Sequence, residues 1–72
     1  MKKILVTGSN GLLGQKIIGK LTGLESISII ATSRNTDKIV DVKGYDFELL
    51  DLTNHLETAY LIKIHNPDTI IN

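Results

Sequence analysis

The chain has 72 residues, no cysteine, and eight basic residues balanced by eight acidic ones. This length allows one small domain, which buries only about 60% of the surface exposed by its unfolded chain. The composition excludes disulfides and thiolate metal sites, and two tyrosines and one phenylalanine among unclustered charges argue against a nucleic-acid surface. The apolar runs are too short to span a membrane, and the first one breaks too early for a signal peptide. We therefore expect a cytoplasmic protein.

The first predicted strand, residues 2–7, is a continuous apolar run typical of a strand buried on both faces of a parallel sheet. Three regularly spaced glycines follow it, Gly8, Gly11 and Gly14. A strand, a glycine turn and a helix form the phosphate cradle of dinucleotide-binding proteins. In that cradle Gly8 turns the chain, Gly11 lets a pyrophosphate approach the backbone, and Gly14 lets the helix pack closely on the sheet.

The same segment supplies the hydrogen-bond donors that we predict for the phosphates. The backbone N–H groups around Gly11, Leu12 and Leu13 begin a helix and, with its dipole, attract an anion. Ser9 and Asn10 are expected to add side-chain hydrogen bonds and to hold the loop. Spaced glycines also occur as simple turns, but the strand before and the helix after favour a dinucleotide site. A P-loop is excluded, because no Gly-Lys-Ser/Thr follows at the required spacing.

The first helix is predicted from residue 12 until Thr22-Gly23 ends it. Its buried face is expected to hold the apolar residues at helical spacing, namely Leu13, Ile17, Ile18 and Leu21. A second buried strand follows over residues 27–32.

The residues after this second strand bear on the choice of nicotinamide cofactor. In dinucleotide-binding folds an acidic side chain here holds the ribose 2′-hydroxyl of NAD, whereas an arginine accommodates the 2′-phosphate of NADP. No acid occurs before Asp37, while Ser33 and Arg34 can form hydrogen bonds to a phosphate, each worth about 1.5–3 kcal/mol. The sequence therefore favours NADPH over NADH by about one to two powers of ten. A solvated loop arginine is the alternative role of Arg34.

Residues 35–44 are mostly polar and show no continuous strand or helix pattern. One short helical turn is predicted around residues 37–40. A third strand is expected over residues 45–50 and a fourth from residue 69. The order β-α-β-β-α-β predicts a parallel sheet with right-handed crossovers and strand order 3-2-1-4. This is the first half of a doubly wound, Rossmann-type α/β fold.

The second helix is predicted between a capping pair, Asn54 and Glu57, and a stop at Asn66-Pro67. Its apolar residues are Leu56, Ala59, Tyr60 and Ile64.

The segment Thr7-Gly8-Ser9-Asn10-Gly11-Leu12-Leu13-Gly14 resembles the glycine motif of the extended short-chain dehydrogenase/reductases. With Gln15 it is most similar to the dTDP-4-dehydrorhamnose reductase family, and Leu50-Asp51-Leu52-Thr53 and residues 66–72 match that family too. The resemblance covers the whole chain but only the N-terminal part of such an enzyme. It implies the cofactor-binding part of an NADPH-dependent reductase that reduces the 4-keto group of a nucleotide sugar, as in dTDP-rhamnose biosynthesis. Domain 1–72 would then be truncated before the catalytic and substrate-binding segments.

The resemblance also implies individual site residues. Asp51 would hold the adenine amino group, the Leu52 backbone would border the ring, and Asn72 would begin a segment beside the cofactor ribose. An Asp at this position can equally cap the next helix. The superfamily's catalytic pair is Tyr-x-x-x-Lys, whereas Tyr60 and Lys63 are one residue too close and lie before the fourth strand instead of after the fifth. Tyr60 is therefore predicted to pack and Lys63 to be solvated.

We predict neither a catalytic residue nor a metal ligand in the chain, which alone should not turn over substrate. His55 and His65 are predicted to lie at the surface or end of the second helix, with no acid or cysteine at ligand spacing. Two other roles stay open, a non-enzymatic NADP-binding regulatory module, as in the regulatory subunit of methionine adenosyltransferase, and an inactive fragment. Half a sheet would cover the apolar run 27–30 poorly, so we expect marginal stability and self-association.

Overall fold

The computed structural model of the protein describes residues 1–40 and 42–72. Its elements, in chain order, are β1 (Lys2–Val6), α1 (Leu12–Leu21), β2 (Ile27–Ser33), β3 (Asp46–Leu49), α2 (His55–His65) and β4 (Thr69–Ile71). This is the predicted order of strands and helices.

The helical turn predicted over residues 37–40 is wrong, since these residues form no regular structure. Asp37 Oδ1 accepts a hydrogen bond from the backbone N–H of Ile39 at 3.0 Å. Such a local side-chain bond competes with helical hydrogen bonding and favours a turn. Asp41, in the same polar stretch, lies outside the described residues.

The four strands form one parallel sheet in the order β3-β2-β1-β4, which confirms the predicted Rossmann-type α/β fold. Leu5 of β1 lies opposite Ile30 of β2 and Ile70 of β4. Right-handed crossovers place α1 and the β2–β3 connection on one face of this sheet and α2 on the other. Neither helix in the described part of the chain is long and apolar enough to cross a membrane.

The face under α1 holds the main hydrophobic cluster, which consists of Ile4, Val6, Ile18, Ile29 and Ala31. Ile39, Val42 and Tyr45 of the β2–β3 connection pack against the same cluster, so these parts of the connection help to cover it. Since Ile29 and Ile30 are only 2% and 3% exposed, the expectation that the run 27–30 is poorly covered is wrong.

On the opposite face Leu5 and Ile30 are buried, whereas Ile70 in the edge strand β4 is 45% exposed. Leu61 is the buried residue of α2, whereas Leu56, Tyr60 and Ile64 are 86%, 62% and 51% exposed. These three recur every four residues and therefore form one stripe, the outer stripe of α2, which points away from the sheet. The prediction that Tyr60 packs in the core of this chain is wrong for that reason.

The two ends of α2 are well fixed. Asn54 Oδ1 accepts from the backbone N–H of Glu57 at 3.1 Å, as the capping pair predicts, although the Glu57 carboxylate reaches the Asn54 side-chain amide instead of its backbone. At the other end Asn66 adopts a left-handed conformation with φ 47°. The Lys3 ammonium donates to the His65 carbonyl at 3.0 Å, where a positive charge suits the helix dipole.

Candidate functional site

The strand order reverses between β1 and β4, because the chain leaves β1 by a crossover on one face and enters β4 by a crossover on the other. In open α/β sheets ligands bind in the crevice beyond the carboxyl ends of the strands at such a point. Two adjoining clefts of about 380 Å³ each lie there and share Gly8 and Leu52.

We call these clefts the glycine cleft and the arginine cleft. The glycine cleft is lined by the loop between β1 and α1 (the glycine loop, residues 7–11), by the start of α1 and by residues 71–72. The arginine cleft is lined by residues 32–35 at the end of β2 and by residues 50–53 after β3.

The glycine loop is a tight turn held by its own backbone. Gly8 adopts a left-handed conformation with φ 64°, which side-chain-bearing residues rarely adopt. The Gly11 N–H donates to the Gly8 carbonyl at 3.0 Å, and the Ser9 N–H donates to the Thr32 carbonyl of β2 at 2.9 Å. The Gly11 N–H is therefore engaged within the turn, contrary to the prediction that it is free for a ligand.

Gly14 makes room for the closest backbone approach in this loop. A Cβ at this position would lie 2.5 Å from the Gly8 carbonyl oxygen and 2.9 Å from the Ser9 Cα. Any side chain at position 14 would thus collide with backbone atoms that cannot move aside cheaply. The sequence predicted close packing of Gly14 on the sheet, whereas the structure shows close packing on the glycine loop.

The backbone N–H groups at the N-terminus of α1 receive no capping hydrogen bond from a side chain of the described residues. Its N-cap is Gly11, no side chain caps it, and its first turn carries no acidic residue. The N–H groups of Leu12 and Leu13 have no intrahelical acceptor, so they and the positive end of the dipole favour an anion. Helix α2 differs, because Asn54 caps it and Glu57 lies in its first turn.

Leu12 and Leu13 themselves line the glycine cleft. Leu13 is 72% exposed, so the prediction that it belongs to the buried face of α1 is wrong. The first turn of α1 rests on the glycine loop through Gly14.

The Asn10 side chain holds the loop through hydrogen bonds, whereas the hydrogen bond predicted for the Ser9 side chain is not formed within the described residues. Ser9 is fully buried, and its hydroxyl has no hydrogen-bond partner within residues 1–40 and 42–72. The Asn10 amide crosses to the β2–β3 connection, where Nδ2 donates to the Thr36 carbonyl at 2.8 Å and Oδ1 accepts from the Lys38 N–H at 2.8 Å. The polar groups of Asn10 are therefore turned to the chain itself.

In the arginine cleft, Ser33 and Arg34 at the end of β2 face Asp51 after β3. The Thr53 hydroxyl and N–H donate to Asp51 Oδ1 at 2.7 and 3.0 Å. These two hydrogen bonds, with a smaller contribution from the charge of Arg34, lower the pKa of Asp51 below its usual value. The Asp51 carboxylate stabilises this turn and does not cap α2, since Asn54 caps it.

The first acid after β2 does not line either cleft. Asp37 accepts from the Tyr45 hydroxyl at 2.6 Å and from the Ile39 N–H at 3.0 Å. Burial, followed by the bond to Asp37 and its charge, raises the pKa of Tyr45 to about 12. The Asp37 carboxylate is thus engaged with its own loop.

Asn72 lies at the far end of the glycine cleft. The Thr7 hydroxyl donates to Asn72 Oδ1 at 2.6 Å, which joins the end of β1 to the end of β4. The sequence pattern did not indicate the hydrogen bond from Thr7 to Asn72 or those from Thr53 to Asp51. Asp-x-Thr is a pattern that favours a side-chain-stabilised turn, and it could have indicated Thr53.

The two histidines lie on α2, as predicted. His55 is exposed at its first turn, and His65 at its last turn contacts the Glu48 carboxylate of β3. Sequence spacing around His65 gave no indication of this contact, because the sheet supplies the acid from 17 residues away. No group of three or more His, Cys, Asp or Glu side chains in the described part of the chain is placed to hold a metal ion.

The chain is similar to several known proteins. An uncharacterized epimerase/dehydratase of Staphylococcus saprophyticus is 31% identical over 74 residues, which cover 100% of this chain and 23% of that protein. L-threonine dehydrogenase from Clostridium difficile superposes with a TM-score of 0.78 at 31% identity, covering 97% of this chain and 23% of that one. The dTDP-glucose 4,6-dehydratase of Bacillus anthracis, solved in complex with NAD, superposes with a TM-score of 0.76 at 25% identity, covering 97% and 25%.

This chain therefore spans about a quarter of the length of these proteins. A family model described as the NAD dependent epimerase/dehydratase family matches residues 4–72. Because that match runs through β1, the glycine loop and every later element, the chain belongs to the NAD dependent epimerase/dehydratase family.

Proposed function

We propose that the two clefts together bind one nicotinamide dinucleotide. The observation that carries this proposal is the uncapped N-terminus of α1, which lies beside Gly8 where the two clefts meet. A pyrophosphate placed there accepts hydrogen bonds from the N–H groups of Leu12 and Leu13. The positive end of the helix dipole attracts its negative charge. The cofactor's two nucleosides then extend in opposite directions, one into each cleft.

The residues in each cleft have distinct proposed roles. Asp51 accepts from the adenine amino group in the arginine cleft, and the Leu52 backbone borders the ring. Asn72 lies beside the nicotinamide ribose in the glycine cleft. Gly11, which has no Cβ, lets the pyrophosphate approach the backbone, while Gly14 keeps the first turn of α1 close to the glycine loop.

We further propose that the cofactor is NADP in preference to NAD. Ser33 and Arg34 line the arginine cleft, where they can bond a ribose 2′-phosphate. The carboxylate of Asp37, which would otherwise bind a 2′-hydroxyl, is engaged by Tyr45 and Ile39. Both features support a preference of about tenfold or more for the phosphorylated cofactor.

For the whole protein we propose a reductase that resembles dTDP-4-dehydrorhamnose reductase and acts on a 4-keto nucleotide sugar. The glycine motif with Gln15 and the segment 50–53 support this assignment, as does the structural similarity to a dTDP-glucose 4,6-dehydratase. Bound NADPH would supply the hydride for the ketone. Since residues 1–72 contain no Tyr-x-x-x-Lys, the role of these residues is to bind and orient the cofactor.

Isothermal titration calorimetry of the 72-residue chain with NADP⁺ and NAD⁺ tests the site and its preference. We expect both to bind, with NADP⁺ tighter by about tenfold. Arg34→Ala should remove most of that difference while leaving the affinity for NAD⁺ nearly unchanged. Lys20→Ala is the matched control, because it removes one positive charge from the last turn of α1, remote from both clefts.

The outcomes separate the two parts of the proposal. If neither dinucleotide binds, the proposed cofactor site is refuted. If both bind equally, or if Arg34→Ala weakens them equally, the site stands and the preference for NADP is refuted. Reductase activity of the isolated 72-residue chain would contradict the purely binding role assigned to it.

A further inference from the structure

The Asn10 side chain joins the glycine loop to the segment that follows β2. Its Nδ2 donates to the Thr36 carbonyl at 2.8 Å and lies 3.4 Å from the Asn35 carbonyl, while its Oδ1 accepts from the Lys38 N–H at 2.8 Å. Both ends of the amide are thus satisfied by backbone groups 25–28 residues away in the sequence. We call residues 34–38 the selector loop.

Asn10 is itself held firmly at the start of this bridge. The Gln15 side-chain amide donates to the Asn10 carbonyl at 2.7 Å, and the neighbouring Ser9 N–H donates to Thr32 of β2. The bridge therefore runs from one fixed part of the molecule, the base of α1, to an exposed loop without regular structure.

Arg34 lies between two attachment points of this loop. On one side the Ser33 carbonyl accepts from the Leu50 N–H at 2.9 Å. On the other side the Asn35 and Thr36 carbonyls face the Asn10 amide. Residues 34–38 are all exposed, so apolar packing does not hold this stretch, and the hydrogen bonds of Asn10 and of Asp37 restrict it instead.

We infer that Asn10 is a positioning residue for cofactor selection, which acts on the cofactor through the selector loop and not by contact. This inference rests on the proposed function, since it requires that Arg34 binds the ribose 2′-phosphate. Asn10 fixes the backbone that follows Arg34, and the Leu50–Ser33 hydrogen bond fixes the backbone before it, so that Arg34 loses less freedom when the phosphate binds. It also links the loop at the pyrophosphate to the loop at the 2′-phosphate.

The test compares NADP⁺ and NAD⁺ affinities of the 72-residue chain before and after Asn10→Ala, again by calorimetry. We expect the NADP⁺/NAD⁺ affinity ratio to fall by about five- to tenfold, the size expected from losing one or two hydrogen bonds. Affinity for NAD⁺ should change much less. Thr36→Ala is the matched control, because the backbone carbonyl of Thr36 makes the contact and remains in the variant.

Hydrogen exchange at Lys38 gives a second measurement that needs no cofactor. Its N–H should exchange slowly in the wild type and in Thr36→Ala, and rapidly in Asn10→Ala. If Asn10→Ala does not fold, Asn10→Ser takes its place, since serine also suits a turn but is too short to span the bridge.

Each result has a defined meaning. A fallen affinity ratio together with faster exchange at Lys38 supports the inference. An unchanged ratio in a variant that binds both cofactors overturns it and leaves the proposed function intact. Failure of the wild-type chain to bind either cofactor overturns the proposed function, and the inference with it.

Discussion

Two glycines of α1 meet opposite surroundings, and the same substitution should therefore have opposite effects. A Cβ at Gly14 would lie 2.5 Å from the Gly8 carbonyl oxygen, whereas a Cβ at Gly19 meets nothing within 4 Å. We expect Gly14→Ala to destabilise the fold by about 1–3 kcal/mol, because backbone atoms must move. Gly19→Ala should stabilise it by up to about 1 kcal/mol, because alanine favours an exposed helix.

Urea denaturation followed by circular dichroism measures both glycine variants on one scale. The close approach of α1 to the glycine loop is contradicted if Gly14→Ala is as stable as the wild type. Gly19→Ala serves as the internal control for helix propensity.

At the same scale, the sequence indicated the residue types of the site better than their contacts. The positive φ of Gly8 and the exposure of Arg34 agree with the pattern. The hydrogen-bond partners of Asn10 and Asp37 did not follow from the sequence pattern, because a short polar side chain can bond any polar group that the fold brings near. For Asn10 those groups lie on another loop, and only the packed chain brings the two loops together.

Helix α2 depends on its N-cap more than α1 does, since α1 has no side-chain cap at all. We expect Asn54→Ala to destabilise the protein by about 1 kcal/mol, because the Glu57 N–H loses its acceptor. Asn54→Asp is the control that keeps a capping oxygen. Thermal unfolding of the three proteins should place Asn54→Asp near the wild type, and equal losses in both variants would argue against a capping role.

The elements were predictable wherever strong local signals bound them. Continuous apolar runs marked the strands, and Thr22-Gly23 and Asn66-Pro67 marked the ends of the helices. The absence of a helical turn over residues 37–40 was not predictable, because the hydrogen bond from the Ile39 N–H to the Asp37 carboxylate competes with a helix. Helical spacing also could not show that Leu13, in the first turn of α1, is exposed.

For the molecule as a whole, the outer stripe of α2 predicts association. Leu56, Tyr60 and Ile64 present an exposed apolar surface on the face opposite α1, and such patches mark interaction sites. We expect the 72-residue chain to associate as its concentration rises and Leu56→Glu to reduce this association. Lys16→Gln is the matched control, with the same change in net charge at an exposed position of α1.

Sedimentation velocity across a wide range of concentration provides the measurement. A chain that stays monomeric throughout and unfolds in one sharp, reversible transition would contradict both the association and the marginal stability expected from the sequence. An equal effect of Leu56→Glu and Lys16→Gln would assign any association to net charge and not to the stripe.

The strand order of the whole sheet was predictable, because alternating strands and helices with right-handed crossovers leave few arrangements. How completely each face of the sheet is covered was not predictable. From the sequence we expected the exposed surface at the run 27–30, but apolar side chains of the β2–β3 connection pack over that face of the sheet and the exposure falls on α2. A connection without regular structure gives no periodic signal of the side on which it packs.

The central place of β1 has a consequence for synthesis of the chain. β1 is made first, and one of its edges is paired as soon as Ile27–Ser33 has emerged and folded against it. Its other edge waits for Thr69–Ile71, about 40 residues later, which takes roughly 2–8 seconds at ordinary rates of translation. Throughout that interval the nascent chain presents an unpaired strand edge at its hydrophobic centre, and the ribosome-bound intermediate is the form most open to mispairing with a neighbour.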